Sequence, residues 1–133
     1  MRYEQLLQRG YGENPHQAGI LYSQPNAKNP ILNYEQLNGK ELSFNNINDL
    51  HGCLEVMREF KDSEEVVSVA IKHTNPCGVG IGANALEAYT KCYEADTVSI
   101  FGGIVGITST VDVETAKKLN EIFLEIVVAY DFT

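Results

Sequence analysis

Residues 66–71 read VVSVAI, a short run dominated by β-branched side chains. It is too short for a helix and does not alternate apolar with polar, so it reads as a strand buried on both faces. A chain holding such a strand must cover its sheet on two sides. The flanking segments offer the covers. Ile47, Leu50, Cys53, Leu54, Met57 and Phe60 recur at helical spacing, with Asn45 or Asn46 as N-cap. Ala83–Glu94 reads as a helix with Leu86, Ala88 and Tyr89 inward, and Val113–Phe123 as a helix capped by Asp112. "TVSIF" (97–101) and "EIVVAY" (125–130) read as further strands, "AGILY" (18–22) as an early one, and Gly78–Gly82 as a flexible turn. Residues 1–45 are otherwise a loop-rich lead-in. The alternation of strand and helix predicts an α/β fold with a parallel or mostly parallel mixed sheet. The chain stops just after a strand, which points to a fragment of a larger unit, with a small complete domain as the alternative.

With 133 residues, one domain with a real core is expected. The net charge of −8 argues against a nucleic-acid partner, because neutralising phosphates needs a basic face. It leaves room for a small anion held by a local cluster. No apolar run is long enough to span a membrane, and no signal-peptide core opens the chain. Three widely spaced cysteines, 53, 77 and 92, do not resemble a disulfide framework. These features together predict a soluble cytoplasmic protein with no membrane partner.

Three patterns carry candidate chemistry. "HTNPCGVG" (73–80) resembles half of a deaminase zinc site, but position 80 is glycine where a second cysteine is needed, and His73 has no glutamate two residues on. No metal is expected here. Gly78-Val-Gly80-Ile-Gly82-Ala83 matches G-x-G-x-x-A, but starts too far beyond the strand for a dinucleotide turn. Tight turns and close packing are the better reading of these glycines. Lys72 and His73 leave the buried strand side by side, at what a parallel sheet would make its C-terminal edge. His can shuttle a proton near neutrality and Lys can stabilise an oxyanion. A snorkelling Lys and a hydrogen-bonded His at an ordinary strand exit fit equally well, and the residues alone do not separate the two. Gly102 and Gly103 would let a ligand approach a second strand end, or simply form a turn; Glu125 would face the same edge or solvent. His16, in the Asn14-Pro15 turn, and His51, mid-helix, carry no assigned role.

Five blocks occur in order: "YGENPHQ" (11–17), "LNGKELSFNNIND" (37–49), "IKHTNPCGVGIG" (71–82), "ADTVSIFGGIV" (95–105) and "EIFLEIVVA" (121–129). Together they resemble the AICAR transformylase domain of the bifunctional purine-biosynthesis family that also carries IMP cyclohydrolase. The resemblance implies a three-layer α/β/α, cytidine-deaminase-like fold, of which residues 1–133 would be the first subdomain. The second subdomain and the cyclohydrolase domain would be absent, and homo-oligomerisation is implied. It also implies formyl transfer from 10-formyltetrahydrofolate to the 5-amino group of AICAR. Lys72 and His73 would be catalytic, and Tyr11, Gly102, Glu125 and Arg9 would contact substrate, with no catalytic metal. Two positions depart from the family pattern. Gly10 stands where the family has arginine, with Arg9 one place early, and Tyr130 stands where a proline is common. A non-catalytic nucleotide-binding or structural module is the alternative reading.

Overall fold

The computed structural model describes residues 4–9, 14, 16–23 and 34–133. Two compact units divide between Asn48 and Asp49. In the first, β1 (Glu4–Arg9) pairs antiparallel with β2 (Gly19–Ser23), with Arg9 opposite Gly19. The strand expected at 18–22 is β2. β1 falls in the stretch read as loop, because "EQLLQR" has no period-2 alternation to mark it. Between the strands, Asn14 donates from its N and Nδ2 to Gln17 Oε1, and Gln17 N donates to the Asn14 carbonyl at 3.0 Å. His16 is exposed in this turn.

Helix α1 spans Phe44–Glu59. Its cap is Ser43, not Asn45 or Asn46. Ser43 Oγ accepts from Asn46 N at 3.2 Å and Asn46 Oδ1 accepts from Ser43 N at 3.0 Å. This is a reciprocal capping box with Asn in the third helical position.

The second unit holds a four-stranded sheet in the order β4-β3-β5-β6, formed by β3 (Val66–Lys72), β4 (Asn75–Gly82), β5 (Ile104–Val111) and β6 (Ile126–Phe132). Helix α2 (Ala85–Ala95) is capped by Asn84 and α3 (Val113–Leu119) by Asp112. The strand at 66–71 is buried on both faces, as its composition requires. Val67, Val69 and Ile71 pack with Cys53 and Met57 of α1, whereas Ala70 packs with Tyr89 and Cys92 of α2 and Leu119 of α3. β5 alternates in the same way, with Ile104 on the α1 side and Val105 and Ile107 on the other. The architecture is thus an α/β/α sandwich around a mixed sheet.

Five expectations need correction. β3 runs antiparallel to both of its neighbours, and only β5 and β6 pair in parallel. β4, β5 and β6 therefore share one direction, and the central strand runs against them. The stretch read as a flexible turn is β4: a two-residue reversal after Lys72 sends the chain straight back along β3. Thr97–Phe101 is a series of turns, not a strand. Asp96 Oδ1 accepts from Val98 N and Ser99 N, and Ile100 is the only residue of the run that is buried. Leu86 lies on the outer face of α2, while Ala85 and Cys92 take the inner one with Ala88 and Tyr89. The last helix also ends at Leu119, four residues short of Phe123.

The glycines of β4 have a packing role. Gly78, Gly80 and Gly82 alternate on its buried face, and α2 lies directly on the bare backbone. A Cβ at Gly80 would overlap the Ala88 carbonyl and the Cys92 nitrogen. Both are helix backbone atoms that cannot rotate aside. Gly80→Ala is expected to cost roughly 1–3 kcal/mol or more, as overpacking does. Urea denaturation should show this as a lowered midpoint with an unchanged slope. Val79→Ala, on the opposite and more exposed face, should shift the midpoint less.

Candidate active site

Lys72 is the last residue of β3, and it pairs with Asn75 across a loop of only His73 and Thr74. Both loop residues have positive φ, 50° at His73 and 63° at Thr74. That is the signature of a type I′ hairpin, normally filled by Asn-Gly. Thr is β-branched and resists the left-handed region, and such strain costs on the order of 1–3 kcal/mol per residue. Local bonds oppose it. The His73 carbonyl accepts from Thr74 Oγ1 at 2.6 Å and from Asn75 Nδ2 at 2.9 Å. Thr74 N donates to Asp49 Oδ1, on α1, at 2.7 Å. His73 is exposed at the tip of this turn.

The pair does not sit at the C-terminal edge of parallel strands, as the sequence reading supposed. β3 runs the other way, so its end lies where β5 and β6 begin. Ile71, Ile104 and Ile126 are level across the sheet. The approaches to β5 and β6 therefore stand beside Lys72. They are bonded to each other: Gly102 N donates to the Phe123 carbonyl at 2.7 Å, and Glu125 N donates to the Gly103 carbonyl at 2.9 Å. Lys72 Nζ donates to the Phe101 carbonyl. Gly102 has φ of 69°, and a Cβ there would lie 3.2 Å from Lys72 Nζ. Glycine thus answers both a backbone need and a need for room next to the ammonium.

Two aromatic rings flank this corner. Phe101 and Phe123 are 58% and 60% exposed, yet their centroids stand 5.9 Å apart in a tilted pair. Large exposed rings beside a cation suit a flat, partly anionic ligand. Neither is marked in the sequence, where Phe101 falls in a stretch read as a strand and Phe123 in one read as a helix.

The structure therefore brings Lys72, Gly102 and the backbone of Glu125 to one end of the sheet, with His73 next in chain. The Glu125 side chain is exposed. Tyr11 lies outside the described residues, and so does the side chain of Arg9, the last residue of β1. Among the described residues, no three His, Cys, Asp or Glu side chains are grouped to hold a metal ion. No described helix is long and apolar enough to cross a membrane.

Residues 1–133 match the AICARFT/IMPCHase bienzyme family along their full extent. The chain belongs to that family. It is 84% identical over 129 residues to the bifunctional purine biosynthesis protein PurH of Clostridioides difficile strain 630, covering 97% of this chain and 25% of that protein. It is 57% identical to the PurH of Thermoanaerobacter sp. strain X514 and 54% identical to that of Halalkalibacterium halodurans, each over 98% of this chain and 25% of the relative. This member of the bienzyme family spans about a quarter of the length of the curated relatives it matches.

Two of the three cysteines of this family member, Cys53 and Cys92, are buried, and Cys77 is partly exposed. Burial pushes the Cys53 thiol from 9.0 up to about 12, with Cys92 adding to the effect, and pushes Cys92 up to about 11. Cys77 is raised by burial first and by Asp96 second, but it is only partly covered. A raised thiol pKa in the folded state means that the unfolded chain ionises first. Stability from Cys53 is whole below pH 9.0 and is lost as the pH climbs towards about 12. Iodoacetamide at pH 8 should therefore alkylate Cys77 first. Cys53 and Cys92 should react only on unfolding, as peptide mass mapping would reveal.

Proposed function

We propose that this chain is the first subdomain of an AICAR transformylase domain, a part of a purine-biosynthesis enzyme. In this reading it works with the remaining length of the family protein, within a homo-oligomer. The proposed reaction moves the formyl group of 10-formyltetrahydrofolate to the 5-amino group of AICAR, giving FAICAR and tetrahydrofolate. Family membership supports the reaction class. The observation that supports the site is the strand exit that holds Lys72 against the Phe101–Gly102 turn and exposes His73 beside it.

The roles follow from the chemistry of the groups. The amine of AICAR attacks the formyl carbon and becomes more acidic as its C–N bond forms. His73, exposed at the turn, takes that proton as general base. Negative charge develops on the formyl oxygen, and the Lys72 ammonium is the cation available to stabilise it. The carbon–N10 bond then breaks, and the proton passes to the departing nitrogen. Lys72 also orients the formyl donor. Gly102 leaves room for the nucleotide, Glu125 faces its ribose, and Tyr11 and Arg9 contact substrate. The fold proposed is cytidine-deaminase-like without a catalytic metal.

A second reading has one specific feature in its favour. Gly10 stands where the family pattern has arginine. A site without that cation would suit a module that binds nucleotide without turning it over.

A chimera separates the two readings. This chain replaces the matching segment of the Clostridioides difficile relative, and FAICAR formation is followed. The transformylase reading expects turnover, and expects His73→Ala to lower kcat by about 10² or more, the usual contribution of a general base. AICAR binding by calorimetry without turnover would favour the module instead.

A further inference from the structure

We propose that Asp49 is a positioning residue of this site: from helix α1 its carboxylate holds the His73–Thr74 peptide, and so aims the His73 side chain. The proposal rests on the transformylase reading for its catalytic consequence, but the clamp itself is a matter of geometry.

The peptide between His73 and Thr74 is gripped at both ends. Its carbonyl accepts from Thr74 Oγ1 and Asn75 Nδ2, both local to the turn. Its N–H donates to Asp49 Oδ1, twenty-five residues away in sequence, at 2.7 Å. This last bond ties the turn to another element, and its acceptor is a carboxylate, which makes it the strongest of the three in kind. Rotating that peptide would change φ at Thr74 and ψ at His73, and would swing the imidazole. The positive φ at Thr74 is unfavourable for a β-branched residue, so without the clamp the chain gains by rotating this peptide away.

The helix is built to approach the turn. Gly52 lies three residues after Asp49, on the same face of α1. A Cβ at Gly52 would come within 3.3 Å of the Thr74 carbonyl oxygen. Farther along that face, Cys53 and Met57 pack on β3 itself. One helix therefore both buries the strand and restrains its exit. Lys72 has its own anchor on the Phe101 carbonyl, so the two members of the pair are positioned by different elements.

The test uses the chimera with the Clostridioides difficile relative. Asp49→Ala should lower kcat by about 10- to 100-fold, the size of effect a misplaced reacting group produces, with the AICAR KM changed far less. Asp49→Asn keeps an oxygen acceptor and should recover most of that loss. Thr74→Gly added to Asp49→Ala should also recover activity, since glycine accepts positive φ freely. Hydrogen exchange at the Thr74 amide should speed up in Asp49→Ala and stay slow in Asp49→Asn. Unchanged kcat in Asp49→Ala would overturn the proposal, and so would a loss that neither Asn nor Thr74→Gly relieves. If the unsubstituted chimera makes no FAICAR, the transformylase reading fails. Amide exchange then decides the clamp alone, with equal Thr74 exchange in all variants counting against it.

Discussion

The chain reverses in two residues after Lys72, and the rest of the second unit depends on that reversal. It lays β4 against β3 and so puts three alternating glycines under α2. It also lifts His73 out of the sheet, while Lys72 stays in the strand and reaches across to the Phe101 carbonyl. A wider loop would give the same two side chains no fixed relation. The turn is tight because both of its residues accept positive φ, which neither favours by itself. Strain of this sort persists only where the surroundings over-determine the backbone. Here they do so through α1 on one side and Asn75 on the other.

Strand direction decides what lies beside the pair. Because β3 opposes its neighbours, its exit meets the entrances of β5 and β6 rather than their exits. The segments around residues 102 and 124 arrive there and bond to one another, bringing Gly102 and two exposed phenylalanines to the same corner. The cation, the glycine and the rings come from three separate stretches of chain. None of these stretches is a site alone, and the sheet order is what joins them.

The local features were the legible ones. VVSVAI is a strand buried on two faces, Asp112 caps its helix, and the inward stripe of Leu50, Cys53 and Met57 is as its spacing predicts. The failures share a cause. The glycine pattern at 78–82 looked like a loop because its meaning, backbone contact with α2, is not local. "TVSIF" has strand composition, but Asp96 satisfies the following amides and holds them in turns. Strand direction was misjudged because a hairpin turn of His-Thr carries none of the Asn-Gly chemistry that announces one. For the same reason Lys72 and His73 were found as a pair, whereas Asp49, Phe101 and Phe123 were not. Their significance lies in contacts made across the fold.

Under the proposed function, the Lys72–His73 turn is the chemical centre of a nucleotide site. A crystal structure of the chimera with AICAR bound tests this most directly. The result predicted is the 5-amino group of AICAR within hydrogen-bond reach of the His73 imidazole, the nucleotide against the Phe101–Gly102 turn, and positive φ at both His73 and Thr74. AICAR bound away from residues 72–73, or a turn relaxed to negative φ, would contradict it.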